Sequence, residues 1–381
     1  MLPFPDGDPI WINSRVGFER MLGDLQQQPV IAIDTESNSL YAYRERVCLI
    51  QISTKQRDYL IDPLVLKDLD PLGAIFSDPK IQKVFHAAEY DVICMRRDYH
   101  FSFMNIFDTM HACRILGRTA VGLGNVLEDE FGIKLEKRFQ RANWGLRPLT
   151  PAMLKYARLD SHFLIALRDK LSPQLKQAGL MDLAREDFLR IAAATETEPR
   201  TENCWRVSGS QDLTPQQAAI LHELCAYREA QAEAIDLPLF KILSNETLIA
   251  ISQQAPETMD DLSMIIGMNK RLMDRHGPAL LKAVKAGQKA PPLRRPPRPA
   301  RPSDEILERL EKLRLWRKET GTRLKVESDV VLPRDTMEKI AYQGALTIKD
   351  LEPLMDHLPW RKKQYGDEII KVINLKEESC E

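Results

Sequence analysis

Two carboxylates, Asp34 and Glu36, stand two positions apart at the end of the apolar run Val30-Ile-Ala-Ile33. A strand repeats its side chains every second residue, so both acids would leave the same side, with Cα atoms roughly 6.6 Å apart. Like charges held that close are costly unless a cation lies between them. A divalent metal is the natural candidate, and a solvated turn is the other explanation. Asp91 falls in the first turns of a helix that follows the strand Lys83-Val-Phe-His86. Strand-to-helix junctions are where α/β sheets place ligands, although an acid there can also simply compensate the helix dipole. Tyr156 and Asp160, four apart, share one face of a helix opened by Thr150 and Pro151, a good cap and first-turn pair.

The elements that must position these residues follow from periodicity. Residues 10–28 read as a short strand and a helix presenting Phe18, Met21, Leu22 and Leu25. Val47–Ser53 and Asp58–Asp62 flank the polar Thr54-Lys-Gln-Arg57 as a hairpin, an antiparallel start to the sheet. Pro71–Ser77 suits a helix, and near Ala87 the period turns helical, with Tyr90, Ile93, Cys94 and Arg97 on one face. From Asp108 onward the chain reads as mostly helical, which makes the N-terminal domain α/β, with strands early and helices late.

At 381 residues the chain can form two or three domains. A hydrophobic fraction of 44% with 29% charged residues is that of an ordinary globular protein. No apolar run approaches a membrane span, and Met1-Leu-Pro-Phe-Pro-Asp-Gly-Asp8 lacks the basic and apolar regions of a signal peptide. A cytoplasmic protein without a membrane partner is expected. Cys48, Cys94, Cys113, Cys204, Cys225 and Cys380 are scattered without a C-x-x-C pair, so neither a disulfide framework nor a zinc site is expected. The net charge of −1 averages over domains, so a nucleic-acid surface must be sought locally.

Taken in order, Asp34-x-Glu36, Asp91 and Tyr156-x-x-x-Asp160 resemble the three exonuclease motifs of the DEDD superfamily. Leu49-Ile-Gln-Ile-Ser53, Phe107-Asp-Thr109 and Trp144-Gly-Leu-Arg-Pro-Leu149 resemble connecting segments of ribonuclease D and its exosome relatives. The resemblance covers roughly residues 10–200. Lys155 occupies the position that carries histidine in one subgroup, so Tyr156 identifies the tyrosine type. The resemblance implies a ribonuclease-H-like mixed sheet flanked by helices. It also implies two Mg²⁺ or Mn²⁺ ions held by Asp34, Glu36, Asp91 and Asp160. Asp34 would bridge both ions, Glu36 and Asp160 would hold the one that activates water, and Asp91 would serve the other largely through water. Tyr156 would orient the attacking water. His86 reads as structural support. Relatives often carry Asp before the tryptophan where this chain has Asn143, so no polar role is carried to that position.

A constant offset of 89 residues superposes two parts of the C-terminal half: Leu221, Leu224, Tyr227 and Arg228 fall on Leu310, Leu313, Trp316 and Arg317, Thr247 on Thr336, and Gly277 on Gly366. These are expected to be duplicated helical domains, each resembling the HRDC module that follows the nuclease in ribonuclease D. The expected boundaries are 1–205 for the exonuclease domain, 206–288 and 303–381 for the two all-α modules, and 289–302 for a Pro/Arg-rich linker. Between Lys270 and Arg301 ten Lys/Arg (270, 271, 275, 282, 285, 289, 294, 295, 298 and 301) face one acid, Asp274. Such a run can track phosphates or merely form a solvated face. Because Gly267-Met-Asn-Lys-Arg271 becomes Asp356-His-Leu-Pro-Trp360, the first module and linker are expected to contact RNA more than the second. The implied function is a monomeric 3′-to-5′ exoribonuclease releasing nucleoside 5′-monophosphates from tRNA precursors or other structured RNA. A DNA exonuclease and a non-catalytic RNA-binding protein on a nuclease fold remain alternatives.

Overall fold

The computed structural model describes residues 7–195, 204–297, 300–345 and 347–374. Arg298 of the basic run and Cys380 lie outside the described residues. The chain forms two compact units. One joins Met1–Glu36, Val47–Glu196 and Ala300–Glu381, and the other joins Ser37–Arg46 with Thr197–Pro299.

In the first unit, β1 (Ile10–Ile12), β2 (Val30–Ser37), β3 (Val47–Ser53), β4 (Asp58–Ile61), β5 (Gln82–Phe85) and β6 (Ile106–Asp108) build one sheet in the order β1-β4-β3-β2-β5-β6. The β1–β4, β2–β5 and β5–β6 pairs are parallel, and β3–β4 is antiparallel. The sheet is therefore mixed. The β3–β4 hairpin closes where the Thr54 N–H donates to the Arg57 carbonyl at 2.8 Å. β6 is not among the expected strands; it ends at Asp108, where the stretch expected to be mostly helical begins, and three residues are too few to show a period of two.

Eight helices accompany the sheet among the described residues: α1 (Arg15–Leu25), α2 (Asp70–Ser77), α3 (Glu89–Tyr99), α4 (Thr109–Ile115), α5 (Leu123–Phe131), α6 (Pro151–His162), α7 (Leu164–Gln177) and α8 (Met181–Ala192). Successive residues of β2 serve opposite faces. Ile31 and Ile33 pack with Phe18, Leu72 and Met95 from α1, α2 and α3, whereas Val30 and Ala32 pack with Phe107, Val126 and Leu167. Asp34 and Glu36 continue the second face. The buried side of α3 is Asp91, Val92, Cys94 and Met95, while Tyr90 is 49% exposed. The expected face of Tyr90, Ile93, Cys94 and Arg97 is thus rotated, because the apolar floor lies under Val92 and Met95 and the helix start must turn Asp91 inward.

The second unit holds α9 (Pro215–Ala234), α10 (Leu239–Ile242), α11 (Asn245–Gln254), α12 (Met259–Ser263) and α13 (Lys270–Lys289). A capping box starts α9, with Thr214 and Gln217 exchanging side-chain and backbone bonds. Residues Ser37–Arg46 fold onto this module. The Tyr43 N–H donates to Asp236 Oδ1 at 3.0 Å, Arg44 pairs with Glu233 at 2.9 Å, and the Lys241 ammonium sits 4.1 Å from the Tyr41 ring centroid.

The first unit ends in α14 (Asp304–Leu324), α15 (Ser328–Val331), α16 (Arg334–Gln343), α17 (Ile348–Met355) and α18 (Pro359–Asn374). Each begins 89 residues beyond its counterpart among α9 to α13. The duplication extends to single bonds. Arg228 donates to the Leu243 carbonyl at 3.0 Å, and Arg317 donates to the Leu332 carbonyl at 2.9 Å. A Cβ at Gly277 would meet Met259 Cε at 2.6 Å, so the end of that methionine side chain would have to shift.

The second module is anchored to the nuclease body by a buried ion cluster. Arg361 is 0% exposed; its guanidinium meets Glu186 at 3.0 Å and Asp187 at 2.9 Å, and it donates to the Val330 carbonyl at 3.0 Å. Glu186 also accepts the backbone N–H groups of Trp360 and Arg361, a carboxylate on a helix N-terminus. Arg114 pairs with Asp329 at 2.6 Å. The five described cysteines, Cys48, Cys94, Cys113, Cys204 and Cys225, form no disulfide. Among the described residues no helix is long and apolar enough to cross a membrane.

Candidate active site

β2 delivers Asp34 and Glu36, and α6 delivers Tyr156 and Asp160. The Thr150 hydroxyl accepts the Met153 N–H at 3.2 Å and Pro151 occupies the first turn, so local chemistry sets where α6 starts and hence the azimuth of its later residues. Ser161 on this helix meets Ser53 of β3 through a 2.8 Å hydroxyl pair, and Arg158 binds Asp58 of β4 at 2.5 Å. With its other side tied to β3 and β4, α6 brings Asp160 against the acids of β2. Carboxylate oxygens of Asp34, Glu36 and Asp160 all lie within 4.8 Å of one another.

Asp91 stands beside this cluster rather than in it. Its carboxylate accepts the Thr35 hydroxyl proton, and its charge acts on both Asp34 and Glu36. The turn that aims it is fixed by Asp108, which is 0% exposed and accepts the Ala88 N–H at 2.6 Å and the His111 N–H at 2.8 Å. Ala87 there adopts a left-handed φ of 64°. Despite its burial, the Asp108 carboxyl is held below its usual range by these bonds and by the His111 ring. His86 sits 2.9 Å from the Thr109 hydroxyl, which itself donates to the Phe85 carbonyl. The imidazole therefore braces the end of β5.

The electrostatics are those of carboxylates short of a counter-charge. Burial first, then Asp91, Asp160 and Glu36, hold Asp34 well above its usual range. Glu36 is pushed up to about 9 by burial and then by Asp160 and Asp91. Burial pushes Asp160 up to about 7, and it does the same for Asp91, against the Thr35 hydrogen bond. The Tyr156 hydroxyl is raised by burial and by Asp160, Glu36 and Asp34, so it keeps its proton at neutral pH. Three convergent hard oxygen donors without Cys or His suit a divalent cation of the Mg²⁺ class.

Several contributors lie outside the sequence expectations. Thr35, between the two acids, steers Asp91. Arg147 grips Asp62 with two bonds of 2.7 Å and donates to the carbonyls of Cys48 at 2.6 Å and Trp144 at 2.8 Å. Its only sequence signal is its place in Trp144–Leu149. Asn143, at the position where relatives often carry Asp, accepts the Gly145 N–H at 3.1 Å and so caps a turn.

A family model for 3′-5′ exonucleases matches residues 9–176, and the HRDC domain model matches 217–284 and again 306–373. The exosome complex exonuclease RRP6 of Saccharomyces cerevisiae is 34% identical over 268 residues, which are 66% of this chain and 37% of that protein. The chain thus spans about a third of the length of the eukaryotic relatives it matches. Ribonuclease D of Pseudomonas paraeruginosa is 28% identical over 372 residues, covering 95% of this chain and 97% of that one. In fold, the crystal structure of Escherichia coli RNase D matches with a TM-score of 0.71 at 22% identity, over 96% of this chain and 99% of that one. The chain thus joins a 3′-5′ exonuclease domain, with an acidic cluster at the end of its central strand, to two HRDC domains, and in this it is similar to ribonuclease D.

Proposed function

We propose that the protein trims RNA from its free 3′ end by two-metal-ion hydrolysis, releasing nucleoside 5′-monophosphates, with tRNA precursors or similar structured RNA as substrate. The observation that carries this reading is the convergence of Asp34, Glu36 and Asp160 with Asp91 beside them. Two divalent ions held by Asp34, Glu36, Asp91 and Asp160 would neutralise the scissile phosphate and lower the pKa of the attacking water. The protein's own groups supply the rest. Thr35 holds the Asp91 carboxylate in place. Tyr156 keeps its proton, so it serves by donating to or orienting the attacking water rather than as a base. The names of the Pseudomonas and Gluconacetobacter relatives, both ribonuclease D, support RNA as substrate.

The test uses 5′-labelled single-stranded RNA and DNA with Mg²⁺, Mn²⁺ or EDTA. Stepwise shortening of RNA from the 3′ end, abolished by EDTA, is expected. Equal or faster shortening of DNA would favour a DNA exonuclease, and tight binding without turnover would favour a non-catalytic RNA binder.

RNA delivery falls to the first module in this reading. Lys270, Arg271, Arg275, Lys282, Lys285 and Lys289 are all exposed along α13, whose opposite side buries Leu280 and Val284. In the second module the equivalent turn is occupied by Trp360 and Arg361 anchoring to Glu186. Replacing Lys270, Arg271 and Arg275 by Gln is expected to weaken RNA binding and to reduce the salt slope by about 0.7 for each phosphate that is no longer neutralised. The same replacement at Lys362, Lys363 and Lys371 should have a smaller effect. An equal or larger effect at the second module would reverse the ranking.

A further inference from the structure

We infer that Phe139 and Trp144 form an aromatic slot that sets the direction of the Tyr156 hydroxyl, which makes both of them positioning residues for the hydrolytic step. The inference rests on the reading that Tyr156 orients the attacking water. The Phe139 ring meets Tyr156 edge-on, with centroids 5.6 Å apart and planes at 72°. Trp144 packs against the same ring in a tilted arrangement, at 6.2 Å and 33°. All three belong to one apolar cluster with Leu149 and Ala157. No protein hydrogen bond holds the Tyr156 hydroxyl among the described residues. Ring packing is therefore what fixes the side-chain torsions, and the hydroxyl stays free for a small ligand such as water.

The two walls are built differently. Trp144 is 1% exposed, and its carbonyl accepts from Arg147, which is locked to Asp62 at the end of β4 and to the Cys48 carbonyl of β3. That wall is tied to the sheet through Arg147. Phe139 is half-buried in a connecting segment, with the exposed Arg138 guanidinium 5.2 Å from its ring centroid. Its neighbours Lys137, Arg138 and Arg141 are exposed, so the segment carrying the outer wall also presents positive charge to solvent. Phe139 can be altered with little risk to the fold, which makes it the residue to test.

Phe139→Ala is expected to lower kcat by ~10–100-fold, because a misplaced group costs on that order, with KM for RNA changing less than about threefold. Phe139→Tyr, which restores an aromatic edge, should recover most of the loss, and Phe139→Leu, which fills space without a ring, should not. In a Tyr156→Phe background the Phe139→Ala change should add less than about threefold, since residues acting through one hydroxyl are not additive. A second readout needs neither metal nor turnover: with 3-fluorotyrosine placed at position 156, Phe139→Ala should shift and sharpen the ¹⁹F resonance of the metal-free protein, with the melting temperature as a control for folding. Fully additive losses, or an unchanged resonance, would overturn the slot. Full turnover in Tyr156→Phe would overturn the role given to Tyr156 instead, and the resonance would still decide whether Phe139 holds the ring.

Discussion

Asp34→Asn is expected to reduce kcat on RNA by at least ~10³-fold and, in EDTA at pH 8, to raise the melting temperature. The catalytic loss follows from removing a carboxylate at the centre of the cluster. A metal site contributes several kcal/mol of transition-state stabilisation, and about 4 kcal/mol corresponds to ~10³-fold. The stability gain follows from the raised acids. A carboxyl whose folded pKa lies above its unfolded value stabilises the fold fully below the unfolded pKa, and that contribution is lost as pH rises through the folded value. Here the folded values are about 7 for Asp91 and Asp160 and about 9 for Glu36, with Asp34 also raised. Metal-free wild type should therefore lose stability between about pH 4 and pH 9, and the variant, with one charge fewer in the cluster, should lose less. Mn²⁺ or Mg²⁺ should reverse the order by binding the folded wild type more tightly. Thermal melts at pH 6 and pH 8, with EDTA and with Mn²⁺, give all four comparisons. A variant that melts below wild type in EDTA at pH 8 would contradict the proposed charge strain, whereas retained turnover would remove Asp34 from the metal site.

Arg361→Ala is expected to cost about 3–5 kcal/mol, the usual effect of stripping one partner from a buried ion pair. Glu186 and Asp187 would be left 3% and 5% exposed with no guanidinium between them. Burial already pushes the Glu186 carboxyl up, and Arg361 is the first of the groups that pull it back. In the variant Glu186 would rise further, so the cost should be larger at pH 8 than at pH 5, where protonation relieves it. The break should show locally as faster amide hydrogen exchange in α18 and in the α8 segment beneath it. Arg361→Lys should restore part of the loss through its charge while lacking the planar fork that meets two acids at once. Unchanged exchange in both helices would mean that apolar packing around Trp360 holds the module unaided.

The local elements were legible because each rests on a short-range rule. Apolar β-branched residues make β2, a polar tetrapeptide makes the β3–β4 hairpin, Thr150 and Pro151 start α6, and an unbroken offset of 89 marks the two modules. Where the signal ran across more than one element, or over too few residues, the sequence was silent or misleading. β6 is too short for a period. The stripe expected on α3 is a step out of phase because helical spacing permits several stripes, and the floor beneath Val92 and Met95 selects among them.

What the sequence determined by itself is the inventory: two acids in register on a strand, an acid near a helix start, a tyrosine and an acid one turn apart, and a helical module written twice. Each follows from periods of two and 3.6 along the chain. Only the tertiary structure decided which of these groups meet. It closes Asp34, Glu36 and Asp160 to within 4.8 Å and leaves Asp91 beside them on Thr35. It packs Tyr156 against both Phe139 and Trp144, and it turns the second module's Arg361 inward against Glu186 and Asp187. Apart from Asp34 and Glu36 themselves, these partners lie from 12 to 175 residues apart in the chain. Their meeting is set by how helices and strands pack, which no local pattern of residues encodes.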